Sequence, residues 1–329
     1  MSHKKILFFE LDQRVPEFNA MVEEMLPKGF SLKLWFDVPE SERAAVLADT
    51  DYFLVLGQVI GKDMLQAAPR LRYIQRTGQG YDNVDIAAAK ELGLPVSILP
   101  TGNAVAVAEH AILLPLALLR KLTKLDAETR AGMWPGGKYR TSSFEMDGKV
   151  HGFVGFGNIG RLAARRSKAF GTQIVYYDVV SAPEEVEKEL GAKRLSLEEL
   201  LAVSDIVSLH TPLLPSTRGM MGAAQFKLMK KSAILINTAR GGLVDEEALC
   251  DALENGEIAG AGLDTFSHDP IPAGSRILGL DNVIATPHVA GGTIDTFRKQ
   301  ASGALDAIKS VEEGGKPCFV VNGVESARF

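Results

Sequence analysis

Three stretches of the chain hold residue types that can do chemistry. The first is FVGFGNIGR at 153–161, which spaces Gly155, Gly157 and Gly160 as G-x-G-x-x-G. The second is LINTARGGLVDEEAL at 235–249, which sets Arg240 just past an apolar run. The third is a pair of loops, GAGLDTFSHDP at 260–270 with Asp264 and Asp269, and ATPHVAGGT at 285–293 with His288. Glycines spaced that way let backbone N–H groups close on phosphates. An arginine at the C-terminal edge of a parallel sheet can hold a carboxylate with two parallel hydrogen bonds. A histidine beside a carboxylate is an oriented acid–base group. Taken singly, each is weak. Most arginines after strands are surface ion-pair partners, and most histidines are merely satisfied, which is how His110, His151, His210 and His268 read.

The surroundings strengthen the glycine pattern. It follows the apolar run VHGFV and opens the amphipathic run IGRLAARRSKAF, the strand–turn–helix setting a dinucleotide requires. Gly155 permits the tight turn, Gly157 lets backbone approach the pyrophosphate, and Gly160 lets the helix pack on the strand. The helix start at Asn158 and Ile159 turns its N–H groups toward the phosphates. An acid closes the next strand, Asp178, 18 residues past Gly160. A carboxylate there accepts from both ribose hydroxyls and repels a 2′-phosphate. Val179 and Val180 follow it, with no arginine, so NAD is favoured over NADP.

Those groups must be positioned by alternating strands and helices. KKILFF, DYFLVLG, RYIQR and PVSIL read as buried strands, with helical patterns VPEFNAMVEEML and VDIAAAKELG between them. A long apolar segment at 103–132 follows, which Pro115 is expected to kink or end. A second series starts at Lys149: strands KVHGFV, QIVYYD, DIVSLH, ILINTA, IAGAGLD and NVIATPH, separated by helices, with a last helix at 293–313. The rhythm is that of parallel, helix-covered sheets.

Composition bounds the rest. At 329 residues the chain exceeds what one core usually serves, so two domains are expected. A net charge of −5 and a pI near 5.8 argue against a broad nucleic-acid footprint. Two cysteines in no metal-ligand spacing suggest structural thiols in a reducing compartment, and no metal site is expected. No signal-peptide core and no apolar run of spanning length is present, which reads as a cytoplasmic protein without membrane contact.

Together the motifs resemble the D-isomer-specific 2-hydroxyacid dehydrogenases, of the glyoxylate/hydroxypyruvate reductase kind. The resemblance runs from RTGQGYDNVDIAAAKELGLPV through NAVAVAEHA, GFGNIGR, HTPLLPSTRGM, NTARGGLVDEEAL and GLDTFSHDP to TPHVAGGT. It implies an α/β fold with a Rossmann-type NAD-binding domain inserted into a flavodoxin-like substrate domain. The insert would span 101–288, and residues 1–100 plus 289–329 would form the substrate domain. The active site would lie in the cleft between them.

The resemblance also implies roles. His288 would be the general acid–base, Arg240 would bind the substrate carboxylate, and Asp269 would pair with the histidine. The backbone at Gln79 and Gly80 would grip the carboxylate. Thr211 and Pro212 would line the adenine side of NAD. Thr238, Ala239, Val107 and Asp264 would complete the cofactor site, with Asp264 near the carboxamide. Relatives are homodimers through the apolar segment at 103–122, so a homodimer is expected here, with Trp134 either closing over a partner's site or a plain interface or core tryptophan.

One departure stands out. The family usually carries Glu where this chain has Asp269, and one methylene less shortens the reach by about 1.5 Å. Either the SHDP backbone shifts inward, or a water bridges, or the pairing loosens. On substrate, the loop LGQVIGKD at 56–63 offers only Lys62, and little chain follows VVNGV. A small unphosphorylated 2-keto acid is therefore expected over 3-phosphoglycerate. Other readings stay open: phosphoglycerate dehydrogenase, and an NAD(H)-sensing corepressor or scaffold that keeps the fold without turnover. A formate dehydrogenase would carry Gln at position 269.

Overall fold

The protein is described as a computed structural model covering residues 3–10, 16–100 and 102–328. The chain divides into two compact units, Met1–Asn103 with Gly292–Phe329, and Ala104–Gly291. The first unit holds strands β1 (Lys4–Phe9), β2 (Phe30–Leu34), β3 (Tyr52–Val55), β4 (Tyr73–Arg76) and β5 (Val96–Ser97). All pair in parallel in the order β2-β1-β3-β4-β5, the flavodoxin-like arrangement. Both faces of this sheet are covered, which is why the stretch 6–9, after the two lysines, is continuously apolar rather than alternating. Ile6, Phe8, Tyr52 and Leu54 pack on one face with the helices Pro16–Glu24 and Ile294–Glu312. Leu7, Phe9, Phe53 and Val55 pack on the other with Leu47, Leu65 and Ala88.

The second unit holds β6 (Val150–Val154), β7 (Gln173–Tyr177), β8 (Lys193–Arg194), β9 (Ile206–Leu209), β10 (Ile234–Asn237), β11 (Gly260–Leu263) and β12 (Val283–Ala285). Their order is β12-β11-β10-β9-β6-β7-β8, again all parallel. The strand order reverses between β6 and β9, and open α/β sheets bind ligands at such a point. Of the two outcomes expected at Pro115, a kink or a helix end, the second is excluded: the apolar helix runs over Ala104–Leu119 with the proline inside it. Its missing N–H costs one hydrogen bond. Burial of Ala108, Ala111 and Ile112 against Ala163 and Ala164, and of Leu114 and Leu118 beside Ile234 and Ile236, outweighs it. The helix ends only at Leu119, before Lys121 takes a left-handed backbone (φ 54°).

A correction concerns His210. His151 is satisfied as expected, with Nδ1 2.8 Å from Ser167 Oγ and Nε2 2.7 Å from Ser208 Oγ. His210 is not: both ring nitrogens are sealed from solvent without a hydrogen-bond partner among the described residues, although the residue as a whole keeps some exposure. Both rings stack with Phe153, at centroid distances of 4.1 Å for His151 and 5.8 Å for His210. Burial pushes both imidazoles down, His210 to about 4 and His151 well below its usual value, where His210 adds a smaller repulsion. Both rings are therefore neutral in the fold, while the unfolded chain protonates them below about pH 6.5. This contribution leaves stability untouched above pH 6.5 and erodes it as pH falls toward 4, by roughly 3 kcal/mol for His210 alone. The urea midpoint should fall steadily between pH 6.5 and 4, and His210→Phe should flatten that slope.

Candidate active site

The glycine turn leaves β6 at the switch point. Gly155 has φ 92°, and a Cβ there would meet His210 C at 2.6 Å and Thr211 N at 2.7 Å. Only glycine lets the β6 and β9 ends approach so closely. A Cβ on Gly160 would meet Gly155 O at 2.4 Å, so that glycine seats the helix Asn158–Ala169 on the turn. At Gly157 a Cβ would meet nothing within 4 Å. Two glycines thus serve packing, and the middle one leaves room on its outer side. Asn158 and Ile159 begin the helix, and Thr211 and Pro212 follow β9 at the same edge.

Asp178 directly follows β7, with its carboxylate tied to the glycine turn. Oδ2 accepts from Phe156 N–H at 2.7 Å, and Oδ1 from Val180 N–H at 3.1 Å. An arginine remote in sequence also reaches this loop. Arg194, on β8, donates to Asp178 O at 2.7 Å, Val179 O at 3.3 Å and Ser181 Oγ at 2.7 Å. Sixteen residues separate Arg194 from Asp178, and the two-residue strand that carries it left no signal in the apolar pattern.

Arg240 follows β10 directly. The Asn237 side chain shapes the turn, donating to Arg240 O at 2.9 Å and accepting from Ala239 N–H at 3.0 Å. A Cβ on Gly241 would collide with Phe266 O at 1.8 Å, so glycine there docks the arginine turn against the loop that leads to Asp269. Asp269 Oδ1 accepts from Phe266 N–H at 3.2 Å, which curls the loop back on itself. Oδ2 lies 2.8 Å from His288 Nδ1. The shorter acid thus pairs with the histidine directly. The pair is open, with side-chain exposures of 49% for His288 and 36% for Asp269. His268, which could have competed, is exposed, with Nδ1 3.3 Å from Ser267 Oγ.

His288 itself is in the left-handed region, φ 53°, which a side chain seldom adopts without support. The support is Asp264, at the end of β11 and fully buried. Oδ1 accepts from Thr286 Oγ at 2.6 Å and Val289 N–H at 2.9 Å, and Oδ2 from Ala290 N–H at 2.9 Å. Thr286 Oγ is also 3.1 Å from His110 Nε2, so His110 joins this network rather than standing apart. Thr238 and Thr265 have buried hydroxyls without a partner among the described residues. Val107 is buried in the helix Ala104–Leu119. Gln79 and Gly80 belong to the other unit, past the end of β4, where Gly80 O accepts from Arg76 Nε at 2.7 Å. Among the described residues, no cluster of His, Cys, Asp or Glu could hold a metal ion.

Residues 112–290 match the NAD binding domain of the D-isomer specific 2-hydroxyacid dehydrogenases. The chain belongs to that family. It is therefore an NAD-dependent oxidoreductase acting on CH–OH donors, and no helix among its described residues is long and apolar enough to cross a membrane. A glyoxylate reductase of Korarchaeum cryptofilum is 38% identical over 303 residues, 90% of this chain and 91% of that one. A D-3-phosphoglycerate dehydrogenase of Methanocaldococcus jannaschii is 38% identical over 84% of this chain but only 52% of its own length. Among solved structures, a glyoxylate reductase of Paecilomyes thermophila superposes with a TM-score of 0.84 at 30% identity, over 98% of this chain and 99% of that one.

The buried threonine hydroxyls and the open side of Gly157 fit an NAD seated at this edge. The three glycines should therefore separate on substitution. Gly155→Ala should destabilise the fold by about 2 kcal/mol or more, because clash and positive φ combine. Gly157→Ala should keep the thermal midpoint while weakening NADH binding about tenfold, equivalent to about 1.4 kcal/mol. Fluorescence titration with NADH beside thermal melts reads both.

Proposed function

We propose that this dehydrogenase reduces a small unphosphorylated 2-keto acid, glyoxylate or hydroxypyruvate foremost, to the D-2-hydroxy acid with NADH. The observation that carries the reading is the direct His288–Asp269 pair on the loop against which the Arg240 turn is docked. Asp269 takes Nδ1, which leaves Nε2 as the proton-donating end toward the keto oxygen. Arg240 holds the substrate carboxylate. Bound nicotinamide supplies the hydride. Asp178 takes the ribose diol, and Asn158, Ile159, Thr211, Pro212, Thr238, Ala239 and Val107 line the rest of the cofactor site. Three of the roughly four acceptor positions of the Asp264 carboxylate are engaged, and the fourth suits a carboxamide N–H.

Against a phosphorylated substrate, Lys62, the only cation in the loop 56–63, is already paired with Glu91 at 2.9 Å. That favours glyoxylate-type acids over 3-phosphoglycerate. A non-catalytic NAD(H) sensor remains the rival reading, and turnover separates the two. We place the protein in the cytoplasm, in keeping with its free cysteines, Cys250 and Cys318. A homodimer through the segment 103–122, where Val105, Leu113 and Leu122 are exposed, follows the same reading.

NADH oxidation should be seen with glyoxylate and hydroxypyruvate, and kcat/KM should fall with NADPH. Arg240→Ala should lower kcat/KM about 100- to 1,000-fold, since two charge-assisted hydrogen bonds are worth about 3–4 kcal/mol. His288→Gln should lower kcat about 100-fold or more with NADH binding retained. Absence of turnover with every keto acid, with NADH still bound, would move the assignment to the sensor.

A further inference from the structure

The Asp264 carboxylate that steadies the His288 turn is itself reached from another element. Thr286 Oγ lies 2.6 Å from Asp264 Oδ1 and 3.1 Å from His110 Nε2. A hydroxyl has one proton to give. The carboxylate can only accept, so Thr286 donates there, and its oxygen is left to accept from the imidazole. Nε2 of His110 must therefore carry a hydrogen. That nitrogen also stands 3.8 Å from Asp264 Oδ1, and the His110 side chain is only 14% exposed. His110 comes from the helix Ala104–Leu119, whose neighbours Ala108, Ala111 and Ile112 are buried, so its ring is held on a rigid element.

We infer that His110 is a positioning residue for the proton-transfer step. It acts through Thr286 and Asp264 on the turn that presents His288, and this rests on the reading of His288 as the acid–base group. Its Nε2–H fixes the Thr286 hydroxyl so that the proton points only at Asp264. The carboxylate then stays in place to hold the N–H groups of Val289 and Ala290 on the far side of the histidine. Without the imidazole donor, Thr286 can turn toward Leu263 O, 3.5 Å from its oxygen, and Asp264 loses one of its three short partners. The His288 turn then relaxes out of its left-handed backbone, and the ring's aim at Asp269 loosens.

Two measurements test this. In the cofactor-free wild-type protein, 15N-resolved NMR of the imidazoles should show His110 as the Nε2–H tautomer at neutral pH; an Nδ1–H tautomer would overturn the inference. His110→Phe keeps the ring volume but removes the donor. It should lower kcat for glyoxylate about tenfold while KM for NADH changes less than about twofold. His110→Gln places an amide N–H near the old Nε2 and should recover most of kcat. Unchanged kcat in the phenylalanine variant, or equal loss in both variants at an unchanged thermal midpoint, contradicts the inference. If the wild-type protein turns over no keto acid, the catalytic reading fails separately, while the tautomer still decides the network.

Discussion

The site depends on one buried carboxylate. Asp264 is fully buried at the end of β11, without a lysine or arginine ion-paired to it among the described residues. Charge taken out of water must be met by hydrogen bonds. Here they come from Thr286 and from two successive backbone N–H groups just past His288. Satisfying that carboxylate bends the chain through a left-handed residue, and that residue is the histidine. The strain of a side chain at φ 53° costs about 1–2 kcal/mol, which the buried network offsets.

The same sheet edge organises everything else. Parallel strands all point one way, so the turns after β6, β7, β9, β10, β11 and β12 emerge together. Glycine is required where two of those turns meet: Gly155 under His210 and Thr211, and Gly241 under Phe266. Neither contact tolerates a Cβ. The turn after β6 and the loop that carries Asp269 therefore use one device, a backbone approach only glycine allows. Asp269 adds the last adjustment. By accepting from Phe266 N–H it curls its own loop, and this brings a carboxylate with a short stem to 2.8 Å from the imidazole.

Much of this was legible in the sequence because the relevant signals are local. KKILFF reads as a short buried strand, and β1 spans those six residues, with residues 6–9 buried. The glycine spacing is likewise local, and the structure has a turn there that opens the helix Asn158–Ala169, with Asp178 bonded back to Phe156 N–H. What escaped was tertiary. β2 is an edge strand with alternating exposure, and β8 is two exposed residues, so neither shows an apolar run. Arg194 and His110 reach their partners across 16 and 176 residues, respectively. His210 read as a satisfied histidine because no sequence pattern reveals a ring nitrogen sealed without a partner. A helix end at Pro115 stayed open in the sequence because its local penalty is visible and the packing that outweighs it is not.

Asp264 shapes the turn that presents His288. The most direct measurement is a crystal structure of Asp264→Asn, in which one acceptor oxygen becomes an amide that faces backbone N–H groups. The account predicts that residues 286–290 relax, that His288 leaves the left-handed region, and that its Nδ1 moves beyond about 3.5 Å from the Asp269 carboxylate. A turn unchanged in that structure, with the 2.8 Å contact kept, would contradict it.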